Sequence, residues 1–288
     1  MPILLKAADI IAKYSPELIK ESNFLASDGL TPYLEVVLVG NNPASESYVA
    51  HKEKFCHKIG AKFKLTRLKE DVGEKEFIDC IKGMNENPEV TGCFVQLPVP
   101  NQLRHLNITQ LINPTKDVDG FHLKTVTDIY QGNLTGILPC TPKGIITLLR
   151  ENSINPAGKD IVIIGRSYIV GKPLALILEA MNGTVTICHS KTKDLAKHTK
   201  NADIIISAAG MPNLITKQHL RSQPDQVLID VGMNKVNGKL VGDISFEDVH
   251  DHVKAITPVP GGVGPMTVYS LMQNLLTTTK NIIKQRKV

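Results

Sequence analysis

Tyr48, Lys52, Phe55 and Ile59 recur at the spacing of one helical face, so a single lysine shares a stripe with apolar side chains while Lys54 and Lys58 point elsewhere. An ammonium drawn toward a core or cleft loses hydration. Its pKa falls, and proton transfer near neutral pH becomes open to it. The competing reading is snorkelling, with the stem packed and the charge in water, and helix periodicity by itself favours that. Gln96 stands at the carboxyl end of an apolar run, CFVQL (93–97), where open α/β sheets bind ligands. Lys116-Asp117-Val118-Asp119-Gly120 brings two carboxylates into a polar segment; alone it reads as a turn, or as a poor metal loop lacking further acids.

A second set of residues suits phosphate. IVIIG-RSYIVG-KPLALILEA (161–180) has the order strand, Gly-containing turn, helix, in which a helix N-terminus offers unpaired N–H groups to a pyrophosphate. Gly165 and Gly171 carry the turn, with Ser167 where a second Gly normally sits, so the G-x-G-x-x-G pattern is incomplete. An ordinary βα turn of another doubly wound domain is the alternative. The next predicted strand ends Cys188-His189-Ser190-Lys191-Thr192 with no acid. A carboxylate there would hold a ribose 2′-OH and repel a 2′-phosphate, whereas Ser190, Lys191 and Arg166 would attract one, which favours NADP over NAD. A solvated polar loop is the plainer reading of the same residues.

Alternating strands and helices must position these groups, the pattern of an α/β protein with parallel sheets. LEVVLVG (34–40) reads as a strand, and Asn42-Pro43 caps a helix running to about Gly60. KFKLTRL (62–68) alternates as a half-buried strand, and EKEFIDCIKGMNEN (74–87) is helical. The stretch from about 98 to 145, rich in Pro, Gly and Asn, reads as an inter-domain connection. TVTIC (184–188), DIIISAAG (203–210) and VLIDVG (227–232) continue a second strand series after IVIIG. TPVPGGVGP (257–265) is expected to be a loop, followed by a long amphipathic helix from about Met266. The N-terminal MPILLKAADIIAKY, broken by Lys6, Asp9 and Lys13, reads as an amphipathic helix and not a signal peptide.

Composition narrows the classes. A chain of 288 residues has room for one large or two ordinary domains with a real core. Hydrophobic content of 42% with 21% charged is that of a folded protein. Trp is absent and aromatics make up 5%, which argues against base-stacking platforms. The net charge of +5 suits anionic ligands but is spread out, without the basic cluster that nucleic acid requires. No apolar run reaches the roughly 18 residues of a membrane span. The five cysteines, Cys56, Cys80, Cys93, Cys140 and Cys188, are scattered without C-x-x-C spacing and read as reduced thiols. His250 and His252 have no partner at ligand spacing, so no metal is expected.

In order along the chain, VGNNPASESYVAHKEKFCHKIG (39–60), VQLPVP (95–100), KDVDGFH (116–122), LPCTPKG (138–144), GRSYIVGKP (165–173), CHSKT (188–192), VGD (241–243) and ITPVPGGVGPMTV (256–268) resemble the bifunctional methylenetetrahydrofolate dehydrogenase/cyclohydrolase family. The start, LLKAADIIAKY, lacks the family's usual Asp-Gly-Lys, and Tyr168 and Met211 occupy variable cofactor-loop positions. The resemblance implies an α/β fold of two domains: an N-terminal α/β catalytic, folate-binding domain over 1–140, to which the C-terminal helix 267–288 returns, and a Rossmann-like doubly wound NADP-binding domain over 141–266. It implies two activities in one cleft between the domains. A hydride passes from 5,10-methylenetetrahydrofolate to NADP⁺, and water then opens methenyltetrahydrofolate to 10-formyltetrahydrofolate. The length suits that two-activity form, with no room for the large synthetase domain of some relatives.

By the same resemblance, Lys52 transfers the proton of the hydrolytic step, Tyr48 packs and orients the folate, Gln96 tunes Lys52, and Asp119 grips the pterin. Val95 and Leu97 flank Gln96 in the folate subsite, and Pro260, Gly261, Gly262, Val263 and Gly264 line it with backbone groups. Gly165, Arg166, Ser167 and Ser190 hold the cofactor phosphates, joined by Thr141, Val170, Gly171, Lys191 and Thr192, and Val231 lies beside the nicotinamide ribose. A homodimer through the cofactor domain, in the cytoplasm, is implied. Two rivals remain. An amino-acid or shikimate-type dehydrogenase shares the domain plan but not the Tyr48/Lys52/Gln96/Asp119 set. A non-catalytic folate or nucleotide sensor would be expected to have lost Lys52.

Overall fold

The computed structural model describes residues 2–287. Its chain divides into two compact units, one of Lys13–Asp128, Thr135–Cys140 and Val268–Val288, the other of Met1–Ala12, Ile129–Leu134 and Thr141–Thr267. Among the described residues eleven strands follow in chain order: β1 (Ile3–Leu4), β2 (Tyr33–Val39), β3 (Lys62–Leu68), β4 (Gly92–Val95), β5 (Asp160–Ile164), β6 (Thr184–Cys188), β7 (Ile204–Ser207), β8 (Val227–Asp230), β9 (Asn234–Val236), β10 (Lys239–Val241) and β11 (Ala255–Ile256). Among the described residues no helix is long and apolar enough to cross a membrane.

The unit of Lys13–Asp128 holds a parallel sheet of order β3-β2-β4. Central β2 is buried along nearly its whole length, as a strand covered on both faces must be. The β2–β4 register pairs Val37 with Val95, so the residue after Val95 leaves the sheet at its carboxyl edge. From β2 the chain turns into the Pro43–Lys58 helix. Asn42 Oδ1 accepts the Ala44 and Ser45 N–H groups at 3.0 and 3.2 Å, and Pro43 takes the first position, where a missing N–H costs nothing.

The stretch after residue 98 is no slack connection. Val99, Leu103, Ile108 and Ile112 are buried in the same apolar cluster as Phe77, Ile81 and Met84. Their apolar spacing is carried on short turns and the Ile108–Leu111 helix, too brief to show a period in the sequence. Later in the chain, Leu271, Met272, Leu275 and Leu276 bury one face of the Val263–Arg286 helix in this unit. A Cβ at Gly92 would lie 2.3 Å from Val118 and 2.8 Å from Leu275, so glycine alone fits there.

The other unit is a doubly wound parallel sheet of order β1-β11-β8-β7-β5-β6. The all-buried β7 and β8, rich in Ile, Val and Leu, pair in parallel, which accounts for their unbroken apolar runs. Successive β5 and β6 are neighbours, and the chain then crosses to place β7 on the other side of β5. The order reverses there, and such switch points are where open sheets seat ligands.

Two local expectations change, and a hairpin absent from the sequence reading joins them. Ile3–Leu4 is a strand parallel to β11, and the helix that follows runs over Ala7–Ser27, through Pro16. Two residues carry no period, so only the distant partner reveals β1. The C-terminal helix starts at Val263 and not Met266, because Pro265 falls in its first turn, where no N–H partner is lost. β9 and β10 form a hairpin about Asn237-Gly238, whose φ values of +49° and +78° are those of a type I′ turn.

Candidate functional site

Lys52 lies in the middle of the Pro43–Lys58 helix, and its side chain turns inward while those of Lys54 and Lys58 are exposed. Only 5% of it is accessible, so the snorkelling favoured by periodicity does not hold. Nζ donates to Gln96 Oε1 at 3.0 Å and stands 4.0 Å from the centre of the Phe94 ring and 5.6 Å from that of Tyr48. Gln96 Nε2 donates to Leu97 O at 2.8 Å, which turns Oε1 toward the lysine. Burial lowers the Lys52 pKa, opposed by the nearby Asp119 and Cys140. Burial raises the Asp119 pKa, opposed by Lys52. The pair is thus pushed toward its neutral forms, with a proton free to sit on either partner or on a bound molecule.

The two aspartates of the 116–120 turn have separate roles. Asp117 accepts Gly120 N–H at 3.0 Å and His122 N–H at 2.8 Å, closing the turn, while Lys116 Nζ donates to the carbonyls of Met84, Asn85 and Asn87. A Cβ at Gly120, where φ is +78°, would meet the Pro139 nitrogen at 2.7 Å. Asn274 Nδ2 donates to Val118 O and Leu138 O at 2.8 and 2.9 Å. Asp119 is thereby presented to Lys52. Asn274 has no place in the sequence reading; its only signal is an amide on the apolar face of the last helix.

Burial raises the Asp117 pKa from an ordinary 3.8 to about 6, against its backbone hydrogen bonds. The folded carboxyl therefore holds its proton more tightly than the unfolded one. Its contribution to stability is full below about pH 4 and is lost as pH rises through about 6. Asp117→Asn should flatten the fall in thermal midpoint between these values; a slope identical to the parent's would contradict this.

In the other unit the Gly165 turn closes tightly. Gly165 has φ +125°, and a Cβ there would lie 2.3 Å from Ala208 O; one at Gly171 would lie 2.2 Å from Gly165 O. Ser167 Oγ accepts Val170 N–H at 3.2 Å and Gly171 N–H at 3.4 Å, so the serine in the place of the second glycine ties the turn together just before the Gly171–Ala180 helix. Arg166, Ser167, Ser190 and Lys191 are exposed. His189 N–H donates to Thr192 Oγ1 at 2.8 Å, folding 189–192 into a turn after β6. Val231 follows β8, its N–H on Ser207 O at 2.8 Å. Thr141 Oγ1 is 3.1 Å from Thr267 Oγ1. Pro260, Gly261, Gly262, Val263 and Gly264 belong to this unit, at the start of the last helix. A Cβ at Gly262 would meet Thr257 at 2.7 Å, and Gly261 O accepts Ala7 N–H at 2.9 Å.

Comparisons with known proteins match this arrangement. A family model described as the tetrahydrofolate dehydrogenase/cyclohydrolase catalytic domain covers residues 5–119, and that of the NAD(P)-binding domain covers residues 139–283. The bifunctional protein FolD of Brevibacillus brevis is 44% identical over 283 residues, 98% of this chain and 99% of its own. The bifunctional FolD dehydrogenase/cyclohydrolase of Campylobacter jejuni superposes with a TM-score of 0.93 at 43% identity, covering 98% of this chain and 99% of that one. The Trypanosoma brucei dehydrogenase-cyclohydrolase, solved with NADP and an inhibitor, gives 0.92 at 31% identity, covering 97% and 98%. Shikimate 5-dehydrogenase of Thermus thermophilus, at 11% identity and a TM-score of 0.52, shares the fold alone.

Proposed function

Since this chain belongs to the tetrahydrofolate dehydrogenase/cyclohydrolase family, we propose that Lys52 is the proton-transfer group of its hydrolytic step and that the Gly165 turn seats its dinucleotide. The protein is an enzyme of two reactions. It oxidises 5,10-methylenetetrahydrofolate to the methenyl form with NADP⁺, and it hydrolyses the methenyl form to 10-formyltetrahydrofolate. The amino-acid or shikimate type falls away on its distance in sequence.

The residues at the Gly165 turn fit NADP. Gly165 and Gly171 keep the backbone free of any Cβ where the turn leads into the Gly171–Ala180 helix. Exposed Arg166, Ser190 and Lys191 suit a 2′-phosphate, and residues 188–192 include no acid to repel it. When bound, NADP supplies the nicotinamide carbon that takes up the hydride. Arg166, Ser167, Ser190, Lys191 and Thr192 would hold its phosphates, with Thr141, Val170 and Gly171 beside them and Val231 at the nicotinamide ribose. Ser190→Asp should raise the KM for NADP by roughly tenfold or more through charge repulsion; an unchanged KM would defeat the 2′-phosphate assignment.

The single observation that carries the hydrolytic role is the dried-out Lys52 ammonium, 3.0 Å from Gln96 Oε1. As the neutral amine, Lys52 takes a proton from the water that adds to the methenyl carbon. The resulting ammonium returns a proton to the nitrogen that leaves as the ring opens. The cationic substrate itself favours the neutral amine. Gln96 holds Nζ in place, Tyr48 gives the folate ring a face to pack on, and Asp119 accepts from the pterin, with Val95, Leu97 and Pro260 to Gly264 shaping the folate site. As a division of labour, residues 1–140 with 267–288 and the stretch 260–264 serve folate, and the rest of 141–266 serves NADP. A homodimer through the cofactor unit and residence in the cytoplasm complete the reading, both resting on family resemblance. Supplying methylenetetrahydrofolate with NADP⁺ or NAD⁺, and following reduced cofactor and formyl product separately, tests the whole. No reduced cofactor with either nucleotide would overturn it.

A further inference from the structure

We propose that Asp243 is a positioning residue for the dinucleotide, its buried carboxylate presetting the 208–211 loop that walls the Gly165 turn. Asp243 is wholly buried just beyond β10. Its Oδ2 accepts Ala209 N–H at 2.7 Å, Gly210 N–H at 3.1 Å and Ser207 Oγ at 3.2 Å. Its Oδ1 accepts Met211 N–H and Asn234 Nδ2, each at 2.9 Å. Three successive backbone N–H groups converging on one anion form a nest, filled here by the chain's own carboxylate. All five partners are donors, so the site demands an acceptor on both oxygens. An amide at this position would turn an NH₂ against an N–H.

The loop needs such an anchor. Ala208-Ala209-Gly210 has almost no side chain to pack, and Gly210 adopts φ +66°. The loop leaves β7 where the strand order reverses, directly against the phosphate turn. The 2.3 Å separation between Ala208 O and a Cβ built on Gly165 shows how little either segment can shift without reshaping the other. The anchor is itself fixed by a reciprocal clasp. Asp230 accepts the N–H groups of Gly232, Asp243 and Ile244 at 2.9, 2.9 and 2.8 Å. A Cβ at Gly242 would lie 1.8 Å from Asp230 Oδ2, and one at Gly232 would lie 2.3 Å from Asp243 Oδ1. Asp230-Val231-Gly232 and Gly242-Asp243 therefore interlock, each carboxylate resting on the other's glycine, and Val231 is held between them.

The inference rests on the proposed seat of NADP at the Gly165 turn. Steady-state kinetics of Asp243→Asn tests it, with Arg166→Ala run in parallel. Loss of one charge-assisted anchor should raise the KM for NADP by about tenfold or more. The kcat for hydride transfer at saturating NADP and the rate of ring opening should stay within about twofold of the parent. An unchanged KM in Asp243→Asn, or an equal loss of ring opening, would overturn the role. If Arg166→Ala alone raises the KM, only the Asp243 inference fails; if neither variant does, the proposed seat fails with it. Should the asparagine variant not fold, hydrogen exchange on the parent chain decides. Amides 209–211 are expected to be protected without NADP, and protection that arises only on adding NADP would sink the inference.

Discussion

Lys52→Met is expected to slow ring opening by roughly 10²- to 10⁴-fold, the usual worth of a positioned acid–base group, while hydride transfer falls far less. Methionine matches the lysine stem in length and suits the apolar surroundings of Phe94 and Tyr48, so the variant removes the amine with little change in volume. Hydride transfer asks only that donor and acceptor carbons be aligned, which the amine does not perform. The sign of the pH dependence follows from burial, which lowers the Lys52 pKa. The amine is a base only when neutral, so ring opening should rise with pH through that lowered value and fade on the acid side. The methionine variant should lose this limb. Measuring both half-reactions across pH would reveal a mistaken role if a folded variant lost them equally or kept the limb.

Gly165→Ala should be the most damaging small substitution in the cofactor unit. Its φ of +125° is a conformation that L side chains rarely adopt, and the new methyl would lie 2.3 Å from a backbone oxygen of Ala208. Backbone strain of about 1–3 kcal/mol adds to an overpacking cost of similar size. The expected loss is therefore about 2–6 kcal/mol of unfolding free energy, read by urea titration. In whatever fraction remains folded, the Ala208 loop must retreat from the turn, and NADP-dependent oxidation should fall much further than ring opening, whose proposed groups lie on other segments. A midpoint within experimental scatter of the parent, with normal KM for NADP, would show that the turn tolerates a Cβ.

How much was legible beforehand follows from the range of each signal. Asn42-Pro43 marked a helix start from adjacent residues, because capping is local. The buried apolar runs of β5, β7 and β8 announced a parallel sheet, because strands covered on both faces cannot alternate. The motif order was enough to reach the family. By contrast, β1 exists only because Ile3 and Leu4 meet Ala255 and Ile256 from the far end of the chain. Asp243 stood in the sequence only as the end of the VGD (241–243) stretch, since its five donors come from Ser207 at the end of β7, three successive loop residues and Asn234 of β9.

Lys52 divides the two kinds of knowledge most sharply. Its place on a stripe with Tyr48 was set by helical geometry, which residue spacing alone specifies. Whether its charge reached water was not, and the local pattern favoured the wrong answer. Gln96, 44 residues away, and Phe94 beside it close over the amine, and Asp119 arrives from a turn held by Asn274 of the last helix. Hydration and charge are properties of everything within a few ångströms, and folding alone decides which residues those are.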